Sequence, residues 1–108
     1  MSEITGSQDY SELAEIDRLV HEPARLAVMA LLYVVDSADF TFLMNQTGLS
    51  WGNLSAHMTR LEEAGYLEVE KRFKGRRPNT SLRLTAAGRS AFQEYRRRLK
   101  QVLDDLPE

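Results

Sequence analysis

The stretch that decides the fold is LSWGNLSAHMTRLEEAG, residues 49–65. On a helical wheel of about 100° per residue, Met58 and Leu61 fall within about 40° of Leu54, so the three form one narrow apolar stripe. A stripe of this width is typical of a helix that packs one face against a core. The stretch therefore predicts an amphipathic helix around which the rest of the chain is arranged.

Both ends of this helix carry sequence signals, and its outer face has an unusual composition. Ser50 is suited to cap the first turn, and Gly65 is suited to stop the last one. The face opposite the stripe has small or hydrogen-bonding residues where a solvated helix more often has Lys and Glu; they are Gly52, Asn53, Ser55, Ala56, Thr59 and Arg60. This face predicts a recognition helix that enters the DNA major groove, about 12 Å wide, and offers donors and acceptors to base edges.

The residues before the recognition helix predict a second, shorter helix. FTFLMNQTG, residues 40–48, follows Asp39, and either Asp39 or Thr41 can cap its start. Gly48 ends it, and the turn to the recognition helix is short. A short helix, a tight glycine turn and an amphipathic helix are the arrangement of a helix-turn-helix. The pattern is moderately specific, because any two packed helices joined by a glycine turn would show it.

The residues after the recognition helix predict a hairpin with a basic tip. Residues 66–73 and 80–85 alternate apolar with polar or charged side chains, as strands with one buried face do. KGRRPN, residues 74–79, is the predicted turn between them. Three of these six residues are basic, namely Lys74, Arg76 and Arg77. A basic tip favours a wing that lies along a phosphate backbone over a hairpin that only completes a sheet.

The distribution of charge supports the same interpretation. The formal net charge is −2, but residues 1–40 hold two bases and eight acids, whereas residues 41–108 hold twelve bases and eight acids. The segment KRFKGRR, residues 71–77, has five basic residues in seven. This separation predicts a basic face that attracts phosphates and an acidic part that is kept away from them.

The first third of the chain is predicted to supply much of the core. Residues 1–8 show no periodicity and are expected to be flexible. A helix is predicted over residues 9–21, and Pro23 suits the first turn of a second helix. ARLAVMALLYVV, residues 24–35, carries hardly any charge and is apolar on most faces, so this helix is expected to be buried at the centre. The whole chain, residues 1–108, is expected to form a single winged-helix domain.

A long last helix is predicted over residues 86–106, with Thr85 as its cap. Its apolar residues recur at alternating spacings of three and four, which is a seam of coiled-coil type. We expect a homodimer through this helix and the helix over residues 9–21, with the interface residues Leu13, Ile16, Phe92, Tyr95, Leu99, Val102 and Leu106. The alternative is packing on the first helix of the same chain, and both can hold for different parts of the seam. The arginines at 96–98 lie off the seam. They are expected to form a solvated face, and the alternative is a second phosphate contact.

Several classes of function are not supported by the sequence. It contains no cysteine and two histidines, so we expect neither disulfides nor a metal site, and no cofactor. Glu62 and Glu63 are neighbours that point about 100° apart on a helix, so they do not form an acid–base pair. No other catalytic motif is visible, and we predict that the protein is not an enzyme. No apolar run reaches about 18 residues and no leader is seen, so we expect a cytoplasmic protein without membrane contact.

On these motifs, the chain resembles the winged-helix transcriptional regulators related to the MarR and ArsR families, most closely the small stand-alone members of that group. The resemblance runs from about Leu19 to Phe92 and is most specific in GNLSAHMTRLEEAGYLEVEK and GRRPNTSLRLT. It implies a dimeric repressor or activator that binds a pseudo-palindromic operator, with DNA contacts at Asn53, Ser55, His57, Arg60, Arg76 and Arg77. The cysteine ligands of ArsR-type metal sensors are absent from the sequence, so metal control does not carry over.

The predicted DNA contacts are Ser50, Trp51, Asn53, Ser55, His57, Thr59 and Arg60 in the recognition helix and Lys74, Arg76 and Arg77 in the wing. Two of them have alternatives. His57 lies at the margin of the apolar stripe and can instead be a packed histidine, and Trp51 can instead lie in the interior or at the dimer interface. The predicted fold is mainly α with a small β-hairpin: a winged helix-turn-helix over residues 39–85, followed by a long C-terminal dimerisation helix.

The predicted function is sequence-specific binding of double-stranded DNA by a homodimeric transcriptional regulator. A rival function is a protein–protein interaction module without DNA binding, because a fold does not fix a function, although the basic wing argues against it. A double-stranded RNA binder is disfavoured, since the RNA major groove is too narrow for a helix. No pattern in the sequence identifies an operator or a small-molecule effector.

Overall fold

The computed structural model contains four helices and three strands in the part of the chain that it describes. The helices are α1 (Pro23–Val34), α2 (Phe40–Thr47), α3 (Trp51–Glu63) and α4 (Ala86–Asp105). The strands are β1 (Ala38–Asp39), β2 (Leu67–Lys74) and β3 (Arg77–Leu84), and they form one antiparallel sheet in the order β1-β3-β2. The predicted fold class, a mainly α winged helix-turn-helix with a long last helix, is confirmed, and the short strand β1 is an addition to it.

The structure describes residue 14 and residues 16–108. Two predictions therefore lie outside the described residues: the flexible segment over residues 1–8 and the position of Leu13 at an interface. Residues 9–13 and residue 15 of the helix predicted over residues 9–21 lie outside them as well.

Helix α1 is the centre of the core, as its apolar sequence predicts. Glu22 caps it by accepting a hydrogen bond of 2.8 Å from the backbone N–H of Arg25, and Pro23 occupies the first turn, where its missing N–H is not needed. Three of its side chains are fully buried, those of Val28, Met29 and Leu32. The helix contacts α2, α3, α4 and β3, so it organises the packing of most other elements.

The helix-turn-helix is held by caps that the sequence predicts. The carboxylate of Asp39 accepts a hydrogen bond of 2.7 Å from the N–H of Phe42, so Asp39, and not the nearby threonine, caps α2. Gly48 ends α2 with φ of 73°, a left-handed conformation that glycine adopts without steric cost. The hydroxyl of Ser50 accepts a hydrogen bond of 3.2 Å from the N–H of Asn53 at the start of α3. These local bonds fix the angle at which α3 leaves the turn.

Helix α3 ends in a Schellman turn that leads directly into β2. The N–H of Tyr66 donates to the carbonyl of Leu61, and the N–H of Gly65 donates to the carbonyl of Glu62, both at 2.9 Å. Gly65 has φ of 80°, as its predicted role as a helix stop requires. Because β2 begins at Leu67, the orientation of the hairpin is tied to the end of the recognition helix.

The turn of the hairpin is shorter than predicted. Strands β2 and β3 pair as far as Lys74 and Arg77, so Gly75 and Arg76 alone form the turn, and the six-residue turn predicted over residues 74–79 is wrong. Gly75 has φ of 64°, and no described non-glycine residue has a positive φ. A positive φ at the first turn position only is a type II′ turn, whose twist matches that of the strands and lets them pair to the tip.

Pro78 fits this extended strand because of its position in the sheet. It lies opposite Phe73, whereas β1 pairs with β3 only at Ser81 and Leu82. At Pro78, the edge of β3 that faces away from β2 has no second strand beside it. The N–H that proline lacks therefore costs no hydrogen bond. The prediction that Pro78 belongs to the turn is wrong, because this end of β3 has only one neighbouring strand and tolerates a proline.

The helix predicted over residues 9–21 does not extend to its predicted end. Residues 16–22 form bends and turns. The carboxylate of Asp17 accepts hydrogen bonds from the N–H groups of Leu19, at 2.9 Å, and Val20, at 3.4 Å. Such local side-chain bonds offer the backbone an alternative to helical hydrogen bonding, so the prediction is wrong for this segment.

The start of α4 is fixed against the end of α3. Thr85 caps α4 as predicted, because its hydroxyl accepts from the N–H of Gly88 at 2.9 Å and donates to the carbonyl of Gly65 at 2.6 Å. The N–H of Thr85 donates to the carbonyl of Tyr66 at 3.0 Å. A Cβ atom on Gly88 would lie 2.1 Å from that carbonyl oxygen. The two backbone segments therefore meet at a distance that only glycine permits.

We predict that Gly88→Ala destabilises the fold by about 1–3 kcal/mol or more, because the Tyr66 carbonyl cannot move away without losing its hydrogen bond to Thr85. Gly52→Ala is the matched control, since a Cβ at that position meets no atom within 4 Å and the helix should keep or slightly gain stability. Urea unfolding measures both variants. Equal free energies of unfolding would contradict the close approach of the two backbone segments.

The side chain of Tyr66 ties the same junction to the segment that precedes α1. Its hydroxyl donates to Oδ2 of Asp17 at 2.7 Å. This hydrogen bond, together with partial burial and the negative charge of the carboxylate, raises the pKa of Tyr66 to about 12. The folded protein therefore holds this proton more tightly than the unfolded chain does.

Alkaline conditions should remove the contribution of this hydrogen bond to stability. Because the pKa is raised in the folded state, the contribution is complete below about pH 10 and is lost as the pH rises toward about 12. At neutral pH, Tyr66→Phe should lower the free energy of unfolding by about 1 kcal/mol, a small value because the site is partly exposed. Chemical unfolding of the parent and of Tyr66→Phe, at neutral pH and again near pH 12, measures this difference in the free energy of unfolding. A difference that persists undiminished at the alkaline end would show that the hydroxyl is not the donor.

Candidate nucleic-acid interface

The recognition helix α3 is held by the apolar stripe that its sequence predicts. Leu54 and Leu61 are fully buried, and Met58 is half-buried against the same core. Helix α1 and strand β2 both contact α3. The opposite face of α3 is therefore turned to solvent.

The outward face of α3 carries mainly uncharged polar or small groups. Its exposed residues are Gly52, Asn53, Ala56, Thr59 and Arg60, followed in the last turn by the carboxylates Glu62 and Glu63. The hydroxyl of Thr59 donates to the carbonyl of Ser55 at 3.0 Å and that of Ser50 serves as the cap, so both hydroxyls also have a structural role. The amide of Asn53 and the guanidinium of Arg60 offer several donors each and are best suited to reach base edges.

Trp51 stands at the start of α3. Its side chain is 66% exposed, and the centre of its ring lies 6.0 Å from that of Phe40, with an angle of 51° between the planes. The structure therefore excludes the interior position considered for this residue. Packing at a dimer interface and contact with a sugar or a thymine methyl group both stay as predictions.

His57 lies at the inner margin of α3 and contacts α1. Its Nδ1 is 3.2 Å from Nη1 of Arg25 and 3.7 Å from Oε2 of Glu22, and its side chain is 23% exposed. Partial burial raises the pKa of Glu22, but hydrogen bonds from the backbone N–H groups of Arg25 and Ala24, with the charges of neighbouring side chains, outweigh burial and leave this pKa below its ordinary value. One edge of the imidazole is thus part of a polar contact within the chain, as the packed-histidine alternative expects, and a DNA contact by this residue stays a prediction.

The wing presents cations along much of its length. The three predicted contacts, Lys74, Arg76 and Arg77, are all exposed. Lys71 and Arg72 on β2 are also exposed and extend this basic surface. They were not predicted as contacts, although the basic run over residues 71–77 contains both. Arg72 pairs with Glu70 at 2.6 Å, so part of its charge is offset.

The seam of α4 divides into a buried and an exposed part. Tyr95 and Val102 are buried within the chain, and Phe92 and Leu99 are half-buried and packed against the core. Ile16, another predicted interface residue, is buried in the core as well. For these buried members the structure favours packing within the same chain over a place at a dimer interface.

The last turn of α4 and its C-cap, Leu106, leave an apolar surface exposed. Leu103 is 56% exposed and Leu106 is 43% exposed. Leu103 borders an open groove of about 320 Å³ that is also lined by Phe92, Tyr95 and Leu99. Leu106 is among the predicted interface residues. Leu103 was not predicted, because the seam of alternating three and four passes through the neighbouring position, 102. The surface that a partner could cover therefore lies along the C-terminal half of α4.

The arginines at 96–98 are partly engaged within α4 itself. The carboxylate of Glu94 accepts hydrogen bonds of 2.8 Å from Arg97 and from Arg98. These two hydrogen bonds hold the pKa of Glu94 at about 2, against a small opposing effect of burial. The intrahelical pairing fits the interpretation of this run as a solvated face.

Within residues 16–108, no helix combines the length and the apolar character needed to cross a membrane. The same part of the chain brings no three His, Asp or Glu side chains together in a cluster that could hold a metal ion. The binding groups that the structure does assemble are those of the α3 surface and the wing.

The sequence matches the model of a family described as winged helix DNA-binding domain, over residues 24–103. A relative, protein MJ0432 of Methanocaldococcus jannaschii, is 33% identical over 78 residues, which cover 72% of this chain and 85% of that protein. The family match spans all four helices and the wing, apart from Pro23 at the start of α1 and the last two residues of α4. The chain therefore belongs to the winged helix DNA-binding domain family.

Solved structures show the same fold. A transcriptional regulator homologue from Pyrococcus horikoshii OT3 superposes with a TM-score of 0.86 at 30% identity, over 91% of this chain and 99% of that one. AbfR, solved in its reduced form bound to DNA, superposes with a TM-score of 0.65 at 18% identity, over 92% of this chain and 64% of that one. The resemblance to MarR-like winged-helix transcriptional regulators is thereby confirmed.

Proposed function

We propose that the protein is a homodimeric transcriptional regulator that binds a specific duplex sequence, with α3 in the major groove and the wing on the phosphate backbone. The observation that carries this proposal is the contrast between two exposed surfaces: the outer face of α3 is largely uncharged and hydrogen-bonding, whereas the tip of the hairpin is basic. The donors and acceptors of this face, with the guanidinium of Arg60, can discriminate between base edges, whereas the cations of the wing meet phosphates, which are the same in every sequence.

In this proposal, the residues of the helix and the wing act as one unit. The DNA contacts of the helix are Ser50, Trp51, Asn53, Ser55, His57, Thr59 and Arg60, and those of the wing are Lys74, Arg76 and Arg77. Among the helix residues, His57 lies at the margin of α3 and is placed against a phosphate. The Schellman turn that joins α3 to β2 supports their joint placement, since it leaves little freedom between the helix and the hairpin. We extend the wing set with Lys71, which is exposed on β2.

The relatives support double-stranded DNA as the partner. The P. horikoshii protein is described as a transcriptional regulator homologue, and the AbfR structure contains DNA. The family is itself described as a DNA-binding domain. We further propose that the chain is one domain that acts in the cytoplasm, without enzymatic activity or a cofactor.

The homodimer is proposed from the exposed end of α4. Leu103 and Leu106 would be covered by the same residues of a second copy, because a two-fold interface uses one patch twice. A two-fold dimer presents its two recognition helices to half-sites about 10 base pairs apart, or a multiple of that. This geometry fits a pseudo-palindromic operator.

The first test separates the contacts of the wing with phosphates from the contacts of α3 with bases. Replacing Arg76 and Arg77 with Ala should weaken binding to every duplex alike and make the salt dependence of log K shallower by about 0.9 for each phosphate that the wing no longer neutralises. Asn53→Ala should instead cost roughly 1–3 kcal/mol on the operator and spare non-specific binding. The operator is first selected from random duplexes with the parent protein, and all proteins are then titrated at several salt concentrations.

Arg96→Ala is the matched control for the wing, since it removes an exposed cation from α4 and should leave the salt slope unchanged. The division of roles is wrong if the wing variant loses only operator binding, or if the Asn53 variant loses operator and random duplex equally.

The second test concerns assembly. Leu103→Glu should raise the dimer dissociation constant at least about 10-fold, because covering the exposed 56% of this leucine is worth about 0.8–1.7 kcal/mol and is counted once for each copy. Gln101→Glu is the control, since it adds the same charge at an exposed position of the same helix. Analytical ultracentrifugation measures all three proteins. A parent protein that is monomeric at micromolar concentration would contradict the proposed dimer.

A further inference from the structure

A buried cation lies beneath the recognition helix. Arg25 of α1 is only 8% exposed and is the single charged residue among the buried side chains of the described part of the chain. Its Nε donates to the carbonyl of Leu19 at 2.6 Å, and its Nη1 lies 3.2 Å from Nδ1 of His57. A buried charge is costly unless its donors find partners, so these two acceptors help to retain the guanidinium at this position.

The contact with Arg25 decides where the proton of His57 lies. A guanidinium has only donors and keeps its proton in proteins, so Nδ1 of His57 must be the acceptor in this contact. In a neutral imidazole with Nδ1 as acceptor, the single proton is on Nε2. The two nitrogens lie on different edges of the ring, so Nε2 points away from the buried guanidinium.

Glu22 offers a competing arrangement for the same nitrogen. Its Oε2 lies 3.7 Å from Nδ1 of His57, and as an acceptor it would favour a proton on Nδ1. The same oxygen already accepts the backbone N–H of Arg25 at 2.8 Å, as the cap of α1. The guanidinium is nearer to Nδ1 than the carboxylate is, so the contact with Arg25 prevails.

We propose that Arg25 is a positioning residue for DNA binding: by donating to Nδ1 it holds His57 as the Nε2–H tautomer, and the outward N–H donates to a phosphate oxygen beside the major groove. The phosphate contact rests on the proposed function, whereas the tautomer is a property of the free protein. The side chain of His57 is 23% exposed, which leaves one edge accessible. Such a contact sets the register of the helix on the backbone and carries no base preference of its own.

The tautomer is tested in the absence of DNA, by nitrogen-15 NMR of the imidazole rings of the full chain at about pH 8, where histidine side chains are as a rule neutral. His57 should show a protonated Nε2 and an unprotonated Nδ1. In Arg25→Met, which keeps a long apolar side chain and removes the donor, Glu22 is unopposed and the proton should move toward Nδ1. His21 is the internal control, because its Nδ1 contacts the hydroxyl of Tyr95 and should not change.

A proton on Nδ1 of His57 in the parent, or the same ring state in parent and Arg25→Met, overturns the role of Arg25. Since Arg25 is buried, that variant can lose its fold, and a second pair of variants at the less buried His57 keeps the proposal testable. Asn places an amide oxygen near the position of Nδ1 but does not reach that of Nε2. Gln reaches the position of Nε2 with an amide donor but leaves Arg25 without its acceptor.

His57→Asn should keep the Tm of the parent and make the salt slope on a random-sequence duplex shallower by about 0.9, which corresponds to one phosphate contact. His57→Gln should keep the salt slope and lower the Tm by several degrees, about 4–8 °C, because a buried donor loses its partner. The reverse pattern, or a salt slope that neither variant changes, overturns the proposal. If the parent binds no duplex at all, the proposed function fails together with the phosphate contact, while the NMR experiment still decides the tautomer.

Discussion

The packing of α3 against α1 is the contact on which the DNA-binding surface depends. Leu54 and Leu61 are fully buried, and the burial of each such side chain contributes about 1.5–3 kcal/mol. Because so few apolar positions fix this helix, most of its circumference is available for other contacts. A wider apolar stripe would hold α3 more firmly and would leave less of it for base edges. The narrow apolar stripe in the sequence therefore indicates both how α3 is held in the fold and how much of its surface is available for binding.

The second constraint is the junction where α3, the wing and α4 meet. The carbonyl of Tyr66 accepts the N–H of Thr85, and the absence of a side chain at Gly88 allows the two segments to touch. Since β2 starts one residue later, the recognition helix, the hairpin and the last helix share one anchored point. In the proposed dimer, a change in how the two copies pack through α4 would consequently change the spacing of their recognition helices.

Much of this architecture could be predicted from the sequence because the signals are local. Caps such as Asp39 and the stop at Gly65 act within one helical turn, and the stripe of α3 is a periodicity within a single element. The helix predicted over residues 9–21 fails for a local reason, the hydrogen bonds of Asp17 to the next residues, whereas the other failures depend on distant partners. The strands continue past Pro78 because no second strand lies beside it, and the division of the α4 seam depends on what the core leaves uncovered. The contact between Arg25 and His57 joins residues 32 positions apart, and its only trace in the sequence is one charge in an apolar helix.

Insertion of α3 into DNA is tested most directly through Trp51, the only tryptophan of the chain, which is 66% exposed at the first position of that helix. Acrylamide quenching of its fluorescence is measured for the free protein and for the protein saturated with its selected duplex. If α3 enters the groove, the duplex shields Trp51 and quenching falls, and the protection disappears as salt displaces the duplex. Unchanged quenching with the duplex still bound would contradict binding through the recognition helix.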